Sequence, residues 1–256
     1  MIQNKKKVIW ITGGGTGIGK ELAKKFSDRN FNVVISGRRI EKLNEVKKYS
    51  PKTIFPIRLD VTNPKKCKDV SRIIMGKFGF IDIIILNAAT YSPGSLDVMK
   101  PREIKKILDI NILGPIYCFA PVLENMKKES KGHLVFMSSP AGFRGLPGAG
   151  IYGVTKSALT FLAETLKIEY DKFKIKVQVI HPGFVKTAMT DKNNFEMPFL
   201  MTAEKAAEII TQKLFSNTFE ISFPKKLIIP MKIMNLLPSS IYFFLIKYFV
   251  KQKKNG

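Results

Sequence analysis

The sequence is poor in the residues that staple small or extracellular domains together. Its 256 residues include two cysteines, Cys67 and Cys118, and two histidines, His133 and His181. The cysteines are too few for a disulfide framework and too far apart for a CxxC pair, and the histidines have no metal-ligand spacing. No metal site is expected, and a reducing cytoplasm is the simplest compartment. His133 begins an apolar run and His181 precedes a proline at the end of another, so both read as structural, as does the lone tryptophan, Trp10. Acidic residues are also scarce: 20 Asp and Glu stand against 43 Lys and Arg, a formal net charge of +23. That excess would attract nucleic acid, acidic lipid or phosphorylated ligands. Most lysines fall singly or in pairs on polar helix faces, as in KELAKKF and EKLNEVKK, which is a dispersed, solvated surface. Only the ends concentrate charge, in Lys5, Lys6 and Lys7 and in Lys251, Lys253 and Lys254. Outside the C-terminal tail no basic stretch is interleaved with stacking aromatics, so no nucleic-acid partner is expected. Long apolar runs are missing too. After the first lysines, VIWIT offers about five residues against the roughly 7–15 of a signal-peptide core, and reads as a first strand.

What is present is a 45% hydrophobic chain with no internal repeat, low-complexity tract or long linker, enough for one sizeable core. Short β-branched runs alternate with segments of helical spacing, the pattern of βα units around a parallel sheet. KVIWIT is followed by a helix near 17–29, NVVIS by one near 39–49, TIFPIRL by one near 64–78, and IDIIILN by two helical stretches between about 101 and 129. HLVFMSS then precedes a helix near 152–170, KVQVIHPG an irregular segment, and TAEKAAEIITQKLF a further helix capped by Thr202. The fold class is α/β, a Rossmann-like doubly wound parallel sheet in a single domain. Residues 1–224 are expected to form the main domain, with a rim and lid at about 187–216, and residues 225–256 an apolar, basic extension.

Two constellations carry chemistry. The stretch TGGGTGIGK, residues 12–20, has five glycines in nine residues just after the first strand. Its register is TGxxxGxG rather than GxGxxG, with Thr12, Gly13, Gly17 and Gly19 at the marked positions. Between the first strand and first helix of a doubly wound sheet, such a turn lets backbone approach a pyrophosphate at the helix N-terminus; a tight turn without a ligand is the plainer reading. At the end of the second strand, ISGRR has no carboxylate to bond the 2′-hydroxyl of NAD. Arg38 and Arg39 instead offer planar guanidinium groups suited to the 2′-phosphate of NADP, with Arg38 the stronger candidate. The alternative is that they only begin a solvent-facing helix, with Glu41 near enough to pair. Second, Tyr152 and Lys156 lie four apart on one helix face. An ammonium beside a phenol favours the phenolate, bringing a group of reference pKa about 10 toward working range.

In this order the motifs resemble the short-chain dehydrogenase/reductase family over roughly residues 7–215. TGGGTGIG looks like its cofactor turn, LDVT places Asp60 where the family contacts adenine, and LNAA resembles its NNAG strand end, with Ala89 in place of the usual glycine. NILG supplies Asn111, MSSPAG supplies Ser138 and Ser139, YGVTK supplies Tyr152 and Lys156, and PGFVKT supplies Pro182, Gly183 and Thr187. The resemblance implies that Tyr152 acts as acid or base, that Lys156 holds the nicotinamide ribose and lowers the tyrosine pKa, and that Ser139 hydrogen-bonds the substrate oxygen. It implies a water relay anchored by Asn111, although an asparagine within a helical stretch can equally satisfy backbone groups at a kink. The implied cofactor set is Gly13, Thr16, Gly17, Ile18, Gly19, Arg38, Asp60, Val61, Asn87, Ala88, Tyr152, Lys156, Pro182, Gly183, Val185 and Thr187, the last able instead simply to start the next loop.

Substrate identity lies in the irregular parts. FRGLPGAG, residues 143–150, and TAMTDKNNFEMPFLM, residues 187–201, would flank the nicotinamide end. The expected substrate contacts are Ser139, Phe143, Leu146, Tyr152 and Phe199, and with Phe195, Met197 and Leu200 they suggest an apolar pocket; ordinary core or a subunit contact is the plainer reading. The tail KKLIIPMKIMNLLPSSIYFFLIKYFVKQKKNG is too interrupted to span a bilayer. It suits a helix at an anionic membrane interface, or one covering the substrate mouth or a partner. It resembles the endings of the family branch with hydrophobic C-terminal extensions, such as hydroxysteroid dehydrogenases and 3-ketosphinganine-type reductases, rather than the fatty-acid-synthesis reductases. The reading is an NADP(H)-dependent oxidoreductase of lipid-type ketones or aldehydes, a homo-oligomer as family members commonly are; the alternative is a noncatalytic dinucleotide sensor.

Overall fold

The computed structural model describes residues 6–92 and 100–252; Lys5, Lys253 and Lys254 of the charged ends lie outside them. Each expected βα unit forms: β1 (Val8–Thr12) with α1 (Gly17–Asp28), β2 (Asn32–Gly37) with α2 (Ile40–Lys47), and β3 (Ile54–Arg58) with α3 (Pro64–Phe78). Next come β4 (Ile83–Leu86), α4 (Pro101–Leu108) and α5 (Gly114–Glu129), then β5 (Gly132–Met137) with α6 (Gly150–Tyr170), and β6 (Ile175–Pro182). The irregular segment holds a short parallel pair, β7 (Val185–Lys186) and β8 (Met201–Thr202), before α7 (Ala203–Lys213) and β9 (Glu220–Phe223). Thr202 caps α7 as expected, its Oγ1 accepting from the Lys205 amide at 3.1 Å. The tail is two helices, α8 (Lys225–Leu236) and α9 (Ser239–Gln252), separated at Pro238, which cannot continue a helix.

Among the described residues seven strands form one parallel sheet in the order β3-β2-β1-β4-β5-β6-β9. Both faces are covered, which is why the strands read as near-continuous Val and Ile runs. Alternate residues feed opposite layers: Val8 and Trp10 join a core built with α3, α5 and α6, while Ile9 and Ile11 join one built with α1, α2 and α7. Trp10 is fully buried, and its indole N–H donates to Ser36 Oγ at 2.9 Å, so the polar handle is satisfied inside the core. Truncating Trp10 to alanine would cost about 3–5 kcal/mol.

Two features were not visible in the sequence. Cys67 and Cys118, distant in sequence, meet in the core between α3 and α5, with the Cys118 thiol donating to Cys67 Sγ at 3.6 Å and both thiols free. The two helices after β4 are joined by a π-helical turn, Asp109–Leu113, into one run from Pro101 to Glu129. That run is long and apolar enough to cross a membrane by length and composition, but half of its most apolar window is buried in the fold.

The strand order reverses beside β1, whose neighbours β2 and β4 run on in opposite directions. Ligands of open α/β sheets bind in the crevice beyond the strand C-termini at such a point.

Candidate active site

The glycine turn after β1 is shaped by contacts that leave no room for side chains. Gly13 has φ +68°, a left-handed conformation, and a Cβ there would meet the Ala88 Cα at 2.9 Å. At Gly19 a Cβ would lie 2.4 Å from the Gly13 carbonyl oxygen, so α1 can pack against the turn only through glycine. Asn87 locks the loop from β4: its Nδ2 donates to the Thr12 and Gly13 carbonyls at 3.0 and 3.2 Å, and Thr12 Oγ1 accepts from the Asn87 and Ala88 amides at 3.0 and 3.1 Å. Gly13 and Gly14 also donate to the Ser36 carbonyl at 2.7 and 3.1 Å, tying the turn to β2.

A cavity of about 810 Å³ opens over this turn and runs along the C-terminal edge of the sheet. Gly13, Thr16, Gly17 and Ile18 line one end with Arg38, Asp60, Val61, Asn87 and Ala88. Asp60 is fixed by accepting from the Thr62 amide and hydroxyl at 3.0 and 2.8 Å. Arg38 and Arg39 are exposed at the rim, and among the described residues neither pairs with a carboxylate, Glu41 included. These features fit a dinucleotide pyrophosphate: a cradle that a Cβ would fill and a helix N-terminus without a first-turn carboxylate, with two guanidinium groups at the rim.

Farther along, Ser139, Leu146, Tyr152, Lys156, Pro182, Gly183 and Val185 line the same cavity, while Thr187 lies over the glycine turn, its Cγ2 3.1 Å from where a Gly17 Cβ would stand. Ser139 caps a short 3-10 turn, Pro140–Gly142, accepting from the Ala141 amide at 3.2 Å, and it hydrogen-bonds Tyr152. Lys156 is buried, its Nζ donating to the Met137 carbonyl at 2.8 Å and lying 5.4 Å from the Tyr152 ring centroid. Burial pushes Lys156 down to about 8. Tyr152 departs from expectation: burial pushes it up to about 12, Ser139 opposing and Tyr91 reinforcing the rise. Burial disfavours the phenolate, and the Lys156 ammonium is turned to a carbonyl on β5, so the phenol is the form these residues favour at neutral pH.

Several expected residues stand elsewhere. Asn111 sits in the π-helical turn, fully buried and outside the cavity lining. Its Oδ1 accepts from the Thr90 amide at 2.8 Å, and its Nδ2 donates to the Thr90 carbonyl at 2.9 Å and to Thr155 Oγ1 at 3.2 Å. It therefore clamps the chain after β4 to α6 rather than serving its own helix. Gly19 is also outside the lining, acting through packing. Phe143 does not face the cavity; its ring lies 4.7 Å from that of His181, and Lys232 Nζ lies 5.7 Å from its centroid. Phe199 is half exposed with φ +57°, away from the lining, whereas Phe195 does contribute. The Thr187 hydroxyl accepts from the Met189 amide at 3.3 Å, so it starts the next turn while still lining the cavity.

Sequence reasoning missed Tyr91, whose ring meets that of Tyr152 edge-on at 5.0 Å and whose hydroxyl donates to Asn193 Oδ1 at 2.9 Å. The extension, which the sequence offered as one possible cover of the cavity mouth without naming residues, contributes Leu227 and Met231 of α8 and Ile246 of α9 to the lining. The four-residue spacing of Leu227 and Met231 was the available signal. Arg144 holds these helices in place: its Nη1 donates to the Met234, Asn235 and Leu237 carbonyls at 3.0, 3.2 and 2.7 Å, and its guanidinium stacks 3.9 Å from the Tyr242 ring centroid. The Tyr242 hydroxyl donates to the Gly145 carbonyl at 2.6 Å.

The family model for short chain dehydrogenase matches residues 7–197. An uncharacterized oxidoreductase of Myxococcus xanthus is 31% identical over 245 residues, covering 94% of this chain and 97% of that protein. A short-chain dehydrogenase from Streptomyces avermitilis has the same fold, with TM-score 0.81 at 21% identity over 98% of this chain and 99% of the other. ElxO with NADP bound matches with TM-score 0.76 at 30% identity, over 85% of this chain and 96% of its own. These matches establish that the chain belongs to the short-chain dehydrogenase family of nicotinamide-dinucleotide oxidoreductases.

Proposed function

We propose that the chain is an NADP(H)-dependent oxidoreductase interconverting a ketone or aldehyde and its alcohol on an apolar substrate. One observation carries the reading: Ser139, Tyr152 and Lys156 converge at one end of a cavity whose other end is the glycine turn and Arg38. NADP(H), when bound, supplies or accepts the hydride. The protonated Tyr152 hydroxyl gives its proton to the substrate oxygen as negative charge develops there, and takes one in the reverse direction. Ser139 donates to the same oxygen or to the resulting tyrosinate, the form its hydrogen bond already favours. Lys156, anchored on the Met137 carbonyl, places positive charge beside the phenol and is the group for the nicotinamide ribose. Gly13, Thr16, Gly17 and Ile18 present backbone to the pyrophosphate, with Asp60, Val61, Asn87 and Ala88 beside them. Arg38 and Arg39 meet the 2′-phosphate. Leu146, Phe195, Leu227, Met231 and Ile246 give the substrate end its apolar lining.

The test is NADPH and NADH oxidation against carbonyls of increasing chain length, with the wild type beside Tyr152→Phe. Turnover with NADPH is expected to rise with chain length and to fall by about 10²–10⁴-fold in the variant, while NADPH still quenches protein fluorescence in both. NADPH binding without turnover of any carbonyl by the wild type would favour the sensor reading instead.

A further inference from the structure

The extension is apolar on two sides. On α8, Leu227, Ile228 and Met231 turn inward, and Leu227 and Met231 line the cavity. The opposite stripe, Ile229, Ile233 and Leu236, is 52%, 57% and 84% exposed. On α9, Tyr242 is buried and Ile246 lines the cavity, while Ile241, Phe243 and Phe244 are 47%, 57% and 70% exposed. A surface helix ordinarily turns one apolar stripe to the core and a polar face to water; these helices turn apolar residues both ways. The charges among them are all of one sign. Lys225, Lys226 and Lys247 are exposed, Lys232 is exposed but paired with Glu220, three more lysines follow between 251 and 254, and no Asp or Glu occurs after Glu220.

We infer that the outer face of α8 and α9 docks on an anionic lipid surface, setting the substrate end of the cavity against the membrane. The lysine-only rim complements anionic headgroups, and the aromatic and aliphatic stripe suits burial at the headgroup–acyl boundary. With 12 and 14 residues the helices are roughly 18 and 21 Å long. They lie on a bilayer whose core of about 30 Å they do not cross. A second copy is the poorer occupant, because two-fold pairing of this face would set lysines against lysines, and Glu220, the carboxylate beside α8, is already paired with Lys232. The inference rests on the apolar-substrate reading, since one pair of helices presents a greasy face to lipid and a greasy wall to the cavity.

The full chain, without cofactor or substrate, is pelleted with sucrose-loaded vesicles of equal parts phosphatidylcholine and phosphatidylglycerol. Binding is expected to these vesicles and not to phosphatidylcholine alone, and to weaken as salt screens the lysines. The double variant Leu236→Glu/Phe244→Glu is expected to bind at least about tenfold more weakly, while Ile73→Glu, an exposed apolar position on α3, binds as the wild type. A wild type that stays in the supernatant overturns the inference, as does a double variant that binds undiminished. So does a double variant whose mass in light scattering drops to half, which would make the face a contact between copies. NADPH turnover of a water-soluble carbonyl by the same samples separates the two readings: binding without turnover removes the redox reading alone, and turnover without binding removes the membrane inference alone.

Discussion

Lys156 is a charged group in a place that disfavours charge, and the consequence is measurable. Its folded pKa of about 8 lies below the ordinary 10.5, a difference worth about 3 kcal/mol at roughly 1.4 kcal/mol per unit. Below pH 8 the lysine is protonated whether the chain is folded or not, so the folded state bears the whole penalty. Between about 8 and 10.5 the folded chain holds fewer protons than the unfolded one, and this contribution raises stability as pH rises. Lys156→Met also loses the 2.8 Å bond to the Met137 carbonyl, which returns roughly 1 kcal/mol. The variant is therefore expected to be more stable than the wild type by about 1–3 kcal/mol near pH 7, with the gap closing toward pH 10. Urea midpoints at several pH values measure it, and a gap independent of pH would show that the lysine is not the titrating group. Arg38 governs a different quantity. As an exposed guanidinium with no carboxylate partner among the described residues it has little to lose structurally, so Arg38→Asp should leave the urea midpoint unchanged. The ratio of kcat/KM for NADPH over NADH should fall by about 10–100-fold, the value of a charge-assisted pair. An unchanged ratio would move the phosphate contact to Arg39 or Lys42.

At the scale of elements, Arg144 joins the loop after β5 to the extension. Helix C-termini leave carbonyls without partners, and one guanidinium nitrogen serves three of them at the end of α8 while the planar face covers Tyr242. A lysine can offer the charge but not the fork and the stacking plane. Arg144→Lys is accordingly expected to loosen α8 and α9, read as faster amide exchange and earlier cleavage between them, with α1 through α7 protected as before. Its double-mutant cycle with Tyr242→Leu should show coupling of roughly 1–2 kcal/mol, and no coupling would mean that the helices are held by their apolar contacts. The same elements show what the sequence made legible. Strands with β-branched runs, the glycine turn and the Tyr152–Lys156 helix are local patterns, in which two- or four-residue spacing dictates geometry. Phe143 and Phe199 were misplaced because the direction of a loop side chain depends on partners distant in sequence: His181 and Lys232 draw Phe143 away from the cavity. The upward displacement of Tyr152 was hidden for the same reason, since spacing reveals a neighbouring ammonium but not the burial that disfavours the phenolate. The tail's composition showed that its apolar residues need cover; only the fold showed that Leu227, Met231 and Ile246 face the cavity.

For the whole molecule the question is whether and where a chain of net charge +23 can meet a second copy of itself. Val154, Phe161 and Ile168 recur every seven residues along α6 and are 53%, 72% and 79% exposed, forming a stripe on a helix whose opposite side packs into the core. Unlike the extension, this helix carries both signs at its surface, with Glu164 and Glu169 beside Lys167, so a two-fold copy can set carboxylate against ammonium. Homo-oligomerisation through α6 is the expected outcome, and the net charge fixes its salt dependence. Repulsion between like-charged copies is long-ranged and screened over about 10 Å at 0.1 M salt, whereas apolar burial on α6 is not weakened by screening. Light scattering should therefore show the assembly tightening as salt rises, opposite in sign to lysine-driven binding of vesicles. Phe161→Gln/Ile168→Gln leaves the net charge untouched, so a lower mass in that variant reports lost apolar contact rather than altered repulsion. Retained NADPH binding would show that the fold survives. If the mass is unchanged in the variant, the copies meet elsewhere and the α6 stripe requires another explanation.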